Sequence, residues 1–261
     1  MPSALDAFDR IVCINLDERT DRWEQVQQSA AALLGEVKLQ RFSAIKPDLA
    51  KERVHNGRAG CLLSHRTVIE QAYRDGLESV LVLEDDLSID QAFQEKITPT
   101  LASLQQTEWD VFYLGITAKA PLLPAGNGLV RTLGGMTTHA MAYHRRAMPK
   151  LLQQLPDEKD VLRFLSRHKS IDRYYCKHVA PRMRCYASSP LLIFQRDDFS
   201  DIQQSQMLSN REQACRAFEQ QLLNKLTPMA RVMVELGRVC RLMKANIDGH
   251  RRSLLRPIKA K

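Results

Sequence analysis

Short apolar runs of strand length alternate along the chain with longer segments whose apolar residues recur every three or four positions. Residues 10–16 (RIVCINL) form a β-rich run, and the polar segment after them predicts a loop and then a helix. Residues 61–77 have a helical period. Residues 79–86 (SVLVLEDD) follow as an aliphatic run that predicts a buried, parallel strand. Further strands are predicted within residues 109–115, 129–135 and 138–145, and a helix is predicted to begin near Pro149.

The alternation of strands and helices predicts an α/β fold with a Rossmann-like, mainly parallel open sheet. In such a sheet, ligands bind at the carboxyl ends of the strands. We predict this organisation for a domain of residues 1–200. Beyond Ser200 the pattern changes to helices, which predicts a C-terminal helical extension over residues 201–261.

One predicted helix in this extension has an apolar face with basic borders. Its apolar residues recur at steps of three and four positions: Met229, Val232, Met233, Leu236, Val239, Cys240 and Met243. Such a helix either packs on the preceding domain with its charged side in water or lies on an anionic membrane surface through residues 226–256. Both arrangements need the same apolar stripe, so both interpretations stay open.

The formal net charge of +8 is concentrated in the extension. Residues 1–200 hold 26 Lys and Arg against 25 Asp and Glu, whereas residues 201–261 hold 12 against 5. A nucleic-acid site would bring basic residues into the domain itself. We therefore expect no nucleic acid as a partner.

The composition of the 261 residues is that of a folded globular protein, with 44% hydrophobic positions. The six cysteines have scattered spacings without a C-x-x-C pair, which favours buried thiols over a zinc ribbon or a disulfide scaffold. No apolar run is long enough to span a bilayer, and the N-terminus lacks a signal-peptide layout. We therefore expect a cytoplasmic protein, free or peripheral on the inner face of the cytoplasmic membrane.

Three adjacent carboxylates, Glu84, Asp85 and Asp86, end the predicted strand at residues 79–86. They repel one another, and a cation would relieve this repulsion. Because side chains alternate along a strand, we expect Glu84 and Asp86 on one side and Asp85 on the other. Two carboxylates on one side suit Mg²⁺ or Mn²⁺, which prefer oxygen ligands and keep open positions for phosphate oxygens. The alternative is a solvated acidic turn.

Residues 56–65 (NGRAGCLLSH) form a second candidate element. Gly60 would allow a close backbone approach, and a helix that begins after the glycines would offer free N–H groups to a phosphate. His65 could serve as a hydrogen-bond donor in that site. The alternative is an ordinary glycine turn before a helix, with a structural histidine.

Four further polar residues are candidates for the site. Arg19 and Arg22 follow the first strand, where an open sheet binds ligands, and arginine recognises phosphate through paired hydrogen bonds. Exposed arginines at the start of a helix are also ordinary. Asp172 and His139 are isolated polar residues beside apolar or aromatic neighbours, so each is a candidate base, metal ligand or structural hydrogen-bonding residue.

Five segments, in this order, resemble glycosyltransferase family 25, the family of lipooligosaccharide galactosyltransferases and collagen hydroxylysine galactosyltransferases. The segments are INLDERTDR (14–22), GRAGCLLSH (57–65), VLVLEDDLSI (80–89), WDVFYLG (109–115) and TTHAMAYHRRAMPKLL (137–152). The resemblance covers residues 8–200, and the combination of G-x-x-G-C-x-x-S-H with a strand ending in EDD is specific. It implies a GT-A type nucleotide-sugar fold and Mn²⁺-assisted transfer from a UDP-sugar, usually UDP-galactose, with inversion at the anomeric carbon.

The resemblance places Glu84, Asp85 and Asp86 at the family's D-x-D-like element, and we expect Glu84 and Asp86 to hold the metal ion. The residues expected to bind the donor are Asn15, Leu16, Arg19, Arg22, Gly60, Ser64, His65 and Asp85. The chain departs from the family at Arg58, where the family often has Glu, and at His139, where an aromatic residue is common.

We therefore expect a glycosyltransferase that transfers a sugar, with galactose as the leading candidate, to a lipooligosaccharide, lipopolysaccharide or other glycan acceptor. The expected catalytic residues are Asp86 and Asp172, the latter as the base that takes the proton of the acceptor hydroxyl, with His139 as the second candidate base. Two alternatives stay open. One is a nucleotide-sugar binding protein without turnover, and the other is a metal-dependent phosphohydrolase or nuclease.

Overall fold

The computed structural model describes residues 4–33, 39–49, 53–118, 122–196, 199–200 and 205–206. The strands are β1 (Arg10–Asn15), β2 (Leu39–Ser43), β3 (Ser79–Glu84), β4 (Leu87–Ile89), β5 (Val111–Tyr113), β6 (Thr117–Ala118), β7 (Leu122–Gly126), β8 (Leu129–Thr132), β9 (Gly135–Met136), β10 (Ala140–His144), β11 (Cys185–Ser188), β12 (Ile193–Gln195), β13 (Phe199–Ser200) and β14 (Ser205–Gln206). The helices are α1 (Thr20–Leu33), α2 (Arg53–Arg74), α3 (Phe93–Gln105), α4 (Met148–Gln154), α5 (Val161–His168) and α6 (Ile171–Tyr174).

Eight strands form one sheet in the order β2-β1-β3-β10-β5-β11-β8-β7. The strands β2, β1 and β3 are parallel to one another, and β5 is parallel to β11. The strands β10 and β8 are each antiparallel to both of their neighbours. Six of the eight strands therefore run in one direction. The predicted α/β class with a mainly parallel open sheet is confirmed.

Helices cover both faces of the sheet, and β3 shows how the sequence specifies this arrangement. Val80 and Val82 pack with apolar residues of α2 and α4 on one face. Leu81 and Leu83 pack with residues of α1 and α3 on the other. All four side chains are fully buried, which explains why this run lacks polar alternation. Burial of each such side chain contributes about 1.5–3 kcal/mol.

The predicted helix at Pro149 is confirmed as α4, with Pro149 in its first turn. Helix α2, in contrast, begins earlier than predicted. It starts at Arg53, so Gly57 and Gly60 lie inside the helix and not in a turn before it. The prediction of a phosphate site at the free N–H groups of a helix that begins after these glycines is therefore wrong, because N–H groups within a helix are already bonded.

The predicted boundary at residue 200 falls inside a two-stranded hairpin, in which Phe199 pairs with Gln206 and Ser200 with Ser205. The helices predicted for the extension, and with them the range 226–256, lie outside the described residues. No helix in the described ranges has the length and apolar composition needed to cross a membrane. The described cysteines form no disulfide with one another: Cys13, Cys61, Cys176 and Cys185.

Candidate active site at the carboxyl ends of the strands

A cleft of about 1420 Å³ opens at the carboxyl ends of β1 and β3. These strands are adjacent and parallel, with Ile14 in register with Glu84, so the residues that end them meet at one edge of the sheet. Residues 44–48 and helix α2 line part of the cleft, and residues within 167–177 line another part. The cleft lies where the α/β pattern predicted a ligand site.

The three carboxylates at the end of β3 have three different environments. The strand ends at Glu84, and residues 85–86 form a turn. The alternation that was predicted to place Glu84 and Asp86 on one side of a strand therefore does not extend to Asp86. All three residues nevertheless line the cleft.

Asp85 is held by Asn15, the last residue of β1, and by Arg22 in α1. Its Oδ2 accepts a hydrogen bond of 2.6 Å from Asn15 Nδ2, and its Oδ1 accepts one of 3.1 Å from Arg22. Arg41 on β2 donates to Asn15 Oδ1 at 2.8 Å, which orients the Asn15 amide. Burial raises the pKa of Asp85, and the Asn15 and Arg22 contacts oppose this shift. The predicted residues Asn15, Arg22 and Asp85 thus form one connected cluster.

Glu84 contacts a different set of residues. Its Oε1 accepts hydrogen bonds from Thr138 Oγ1 at 2.6 Å and from His65 Nε2 at 3.1 Å. The sulfur of Cys61 lies 3.9 Å from the same oxygen. Burial alone would raise the pKa of Glu84, but the interactions with His65 and Thr138 outweigh burial and lower this pKa. Glu84 is therefore held as a carboxylate by its neighbours.

At Asp86, the charges of Arg22 and Arg196 lower the pKa too little to offset burial. The Oδ2 of Asp86 accepts a hydrogen bond of 3.2 Å from Gln195, whereas its Oδ1 is buried and has no hydrogen-bond partner among the described residues. Burial, followed by the charges of Glu84 and Asp85, raises the pKa of Asp86 to about 7. A buried carboxylate oxygen without a donor is suited to a cation, and the oxygen donors here fit Mn²⁺ or Mg²⁺.

Asp172 lines the same cleft from the start of α6. Its carboxylate accepts hydrogen bonds from the backbone N–H groups of Thr137 at 3.2 Å and Arg173 at 2.7 Å, and from the hydroxyl of Ser170. Thr137 has a φ of 76° and Lys169 a φ of 72°, and both residues line the cleft. Left-handed backbone at a β-branched residue such as threonine is a genuine outlier and costs about 1–3 kcal/mol. Such strain is concentrated at functional sites.

Three predicted residues do not line the cleft, and one of them, Asn15, is linked to it only through its hydrogen bond to Asp85. His139 is buried, and its Nε2 lies 3.1 Å from the carbonyl oxygen of Ile193. Arg19 forms a bidentate ion pair with Asp21, with distances of 2.9 and 2.8 Å. The structure therefore does not bring His139 or Arg19 into contact with the cleft.

The remaining predicted residues shape the wall of the cleft. Ser64 Oγ accepts a hydrogen bond of 2.9 Å from the backbone N–H of Ile45. A β-carbon at Gly60 would lie 2.3 Å from the carbonyl oxygen of Ile45, so only glycine allows this close packing. Leu16 lines the cleft beside them. Gly60 and Ser64 thus hold the segment around Ile45 against α2.

Sequence reasoning missed several residues of the site. Thr138 and Gln195 bond Glu84 and Asp86 from positions 54 and 109 residues away, and no local pattern indicates such contacts. It also missed four exposed basic side chains in the lining of the cleft: Arg167, Lys169, Arg173 and Lys177. None of these four side chains forms an ion pair with the part of the chain that the structure describes. The cleft therefore has carboxylates at its bottom and positively charged side chains at its edge.

The sheet carries a carboxylate-lined cleft at its strand ends, and comparison with known proteins indicates the family that the chain resembles. Residues 8–131 match the model of glycosyltransferase family 25, described as an LPS biosynthesis protein family. The resemblance predicted from the sequence is confirmed over these residues.

Several relatives, among them galactosyltransferases and members named as inactive, are similar over half of the chain or more. Procollagen galactosyltransferase 1 of Danio rerio is 25% identical in a 227-residue alignment that covers 74% of this chain and 38% of that protein. The probable inactive glycosyltransferase 25 family member 3 of Rattus norvegicus is 28% identical over 152 residues, 52% of this chain and 26% of that protein. The chain thus spans less than half the length of these relatives.

Among solved structures, a glycosyltransferase involved in the glycosylation of the major capsid of PBCV-1 is similar, with a TM-score of 0.43 and 12% identity. The similarity covers 75% of this chain and 95% of that chain. Mannose-1-phosphate geranyltransferase from Thermus thermophilus has a TM-score of 0.40 and 14% identity, covering 69% of this chain and 72% of that chain.

Proposed function

We propose that this protein is a glycosyltransferase that transfers a sugar, with galactose as the leading candidate, from a UDP-sugar to a glycan acceptor with inversion. The observation that carries the proposal is Asp86, whose buried Oδ1 has no donor among the described residues in a cleft at the end of β3. The match of residues 8–131 to glycosyltransferase family 25 supports the same reaction class.

The residues at the end of β3 have different roles in binding the sugar donor. Asp86, with Glu84 beside it, would hold a Mn²⁺ or Mg²⁺ ion, which stabilises the negative charge that develops on a nucleoside diphosphate leaving group. Asn15 and Arg22 hold the Asp85 carboxylate at the carboxyl end of β1, which is where an open sheet binds nucleotides. Ordered side chains at this edge reduce the cost of orienting the donor.

Asp172 is the proposed general base. An inverting displacement needs a group that takes the proton of the acceptor hydroxyl as that oxygen attacks the anomeric carbon. Asp172 lines the same cleft as Asp86, and its carboxylate is oriented by the N–H groups of Thr137 and Arg173. A carboxylate held by several donors keeps one orientation through the reaction.

The acceptor proposed here carries negative charge. Exposed basic side chains without ion-pair partners in the described structure surround Asp172: Arg167, Lys169, Arg173 and Lys177. Such groups attract phosphate or carboxylate. A phosphorylated lipooligosaccharide or lipopolysaccharide fits this margin, and a cytoplasmic, membrane-peripheral location would bring a lipid-linked acceptor to it.

The test is titration of the full chain with UDP-galactose, with Mn²⁺ or with chelator, followed by measurement of UDP release with a phosphorylated glycan acceptor. We expect metal-dependent binding that Asp86→Asn weakens about tenfold or more, since this variant removes the cation's carboxylate. Asp172→Asn should retain binding and lose transfer by about 10²–10⁴-fold, the usual contribution of a general base. Asp75→Asn, at an exposed ion pair with Arg10, is the matched control. Full transfer by Asp86→Asn would refute the proposal.

A second candidate is a nucleotide-sugar binding protein without turnover. It is favoured by the relatives whose names describe them as inactive members of the family. It predicts metal-dependent UDP-galactose binding with no UDP release on any acceptor. Repeated turnover with one acceptor would exclude it.

A further inference from the structure

Three metal-ligating side chains of different chemistry converge at the base of the cleft. Cys61 and His65 are four residues apart, so they lie one above the other on one face of α2. Both face Glu84 at the end of β3, with His65 Nε2 at 3.1 Å and Cys61 Sγ at 3.9 Å from Glu84 Oε1. The three donor atoms all lie within 4.8 Å of one another. We call these residues the Cys-His-Glu cluster.

These distances suit a tetrahedral metal ion. With metal–sulfur bonds near 2.3 Å and metal–nitrogen or metal–oxygen bonds near 2.0 Å, ligand atoms lie about 3.3–3.6 Å apart. The measured 3.1 and 3.9 Å fall on either side of this interval. These two contacts need changes of only about 0.2–0.4 Å to fit such an ion, and the third pair, Cys61 Sγ and His65, lies within 4.8 Å.

The surroundings also fit a metal site. Tyr143 Oη lies 3.2 Å from Nδ1 of the fully buried His65, so the second nitrogen of the ring has a partner that fixes its orientation. Thr138 holds the Glu84 carboxylate at 2.6 Å. All three members of the cluster line the cleft, which leaves an open side for water as a fourth ligand.

We propose that the Cys-His-Glu cluster binds a thiophilic divalent cation of the Zn²⁺ type. A sulfur and an imidazole nitrogen select such an ion, whereas the oxygen donors of Asp86 suit Mn²⁺ or Mg²⁺. On binding, the thiol of Cys61 releases its proton to solvent and the thiolate bonds to the metal. Because Glu84 is common to both sites, zinc in the cluster opposes the hard cation at Asp86. This last consequence rests on the proposed function.

The test uses Co²⁺ as a spectroscopic probe for zinc in the reduced full chain. Cys215 and Cys240, which lie outside the described residues, are replaced with serine in every sample to remove background thiols. We expect one Co²⁺ per chain, a thiolate-to-cobalt charge-transfer band in the near ultraviolet, and loss of the band on addition of Zn²⁺. Cys61→Ser should abolish the band.

Cys176→Ser is the matched control, because Cys176 lines the same cleft but lies outside the cluster. It should retain the band, and Glu84→Gln should weaken Co²⁺ binding about tenfold or more. Absence of the band in the parent protein, or its persistence in Cys61→Ser, would overturn the site. If UDP-sugar turnover is found, Zn²⁺ should inhibit it about tenfold less effectively in Cys61→Ser. If no turnover is found, the function fails, but the cobalt spectrum still decides the metal site.

Discussion

At the scale of single residues, three neighbouring carboxylates differ in how the fold treats their charge. Asn15 and Arg22 offset the burial of Asp85 only in part, so its pKa stays raised, whereas His65 and Thr138 outweigh burial at Glu84 and lower its pKa. The Asp86 carboxylate receives only one hydrogen bond from the described residues, and burial with the two adjacent charges raises its pKa to about 7. The same sequence element, EDD, thus contains one carboxylate whose pKa the fold lowers, Glu84, and two whose pKa it raises, Asp85 and Asp86.

The pKa of Asp86 predicts a change of stability with pH. An aspartate with an ordinary pKa of 3.8 when unfolded and about 7 when folded binds more protons in the folded state between these values. The folded protein therefore loses stability as the pH rises from about 4 to 7. Without divalent cations, we expect Asp86→Asn to remove this loss and to raise the free energy of unfolding at about pH 8 by up to about 4 kcal/mol.

Urea denaturation in the presence of chelator, at several pH values across this range, measures the effect. Asp75→Asn should keep the wild-type pH dependence, because Asp75 belongs to an exposed ion pair with Arg10. Parallel stability curves for wild type and Asp86→Asn would show that the Asp86 carboxylate is not destabilised by the fold.

At the scale of elements, helix α2 combines packing and chemistry on adjacent stripes. Gly60 and Ser64, four residues apart, face the segment around Ile45. Cys61 and His65, also four residues apart, face Glu84. The helical repeat explains the spacing of G-C-x-x-S-H, since each stripe needs one residue in every turn. The position of the cleft wall around Ile45 and the environment of Glu84 therefore both depend on helix α2.

Gly60→Ala should separate α2 from that wall. The added β-carbon would lie 2.3 Å from a backbone carbonyl oxygen of Ile45, which has no flexible side chain to move. We expect the free energy of unfolding to fall by about 1–3 kcal/mol, as is usual for overpacking. We also expect weaker UDP-galactose binding, because Ile45 lines the cleft. Thermal denaturation and calorimetric titration measure the two effects.

Gly76→Ala is the control for this prediction. Gly76 has a φ of 77° and nothing within 4 Å of an added β-carbon, so alanine introduces backbone strain without a clash. It should lower the melting temperature and leave UDP-galactose binding unchanged. Unaltered stability of Gly60→Ala would contradict the close packing of α2 on Ile45.

At the scale of the whole molecule, charge separates the nearly neutral residues 1–200 from the basic residues 201–261. We propose that the extension binds an anionic membrane surface. Replacement of Arg231, Arg238, Arg241 and Lys244 with glutamine should then weaken vesicle binding. At low salt, about 1 kcal/mol for each basic residue amounts to roughly a thousandfold loss in partitioning.

Co-sedimentation with phosphatidylglycerol vesicles and with phosphatidylcholine vesicles measures this partitioning. The control replaces the four basic residues of the cleft margin, within 167–177, with glutamine, and removes the same charge from another place. If this control variant binds the anionic vesicles as strongly as the wild type does, the result supports a membrane site in the extension. An equal loss in both variants would attribute binding to net charge, and no preference for the anionic vesicles would refute the proposal.

The sequence by itself determined the features that have local signals. The aliphatic run of β3, the first-turn Pro149 of α4 and the carboxylates at a strand end each arise from neighbouring residues and their periods. The motif order also determined the family resemblance that the match over residues 8–131 confirms. A strand period does not define where a strand stops, so the orientation of Asp86 was not predictable.

Only the tertiary structure decided which residues share an environment. Asp85 meets Arg22 from 63 positions away, Glu84 meets Thr138 from 54, and Asp172 meets Thr137 from 35. Burial of His139 against Ile193 is equally non-local. The charge state of a carboxylate depends on these neighbours and on its exposure to water. Both are set when distant elements pack together, and no pattern along the chain records the distance between them.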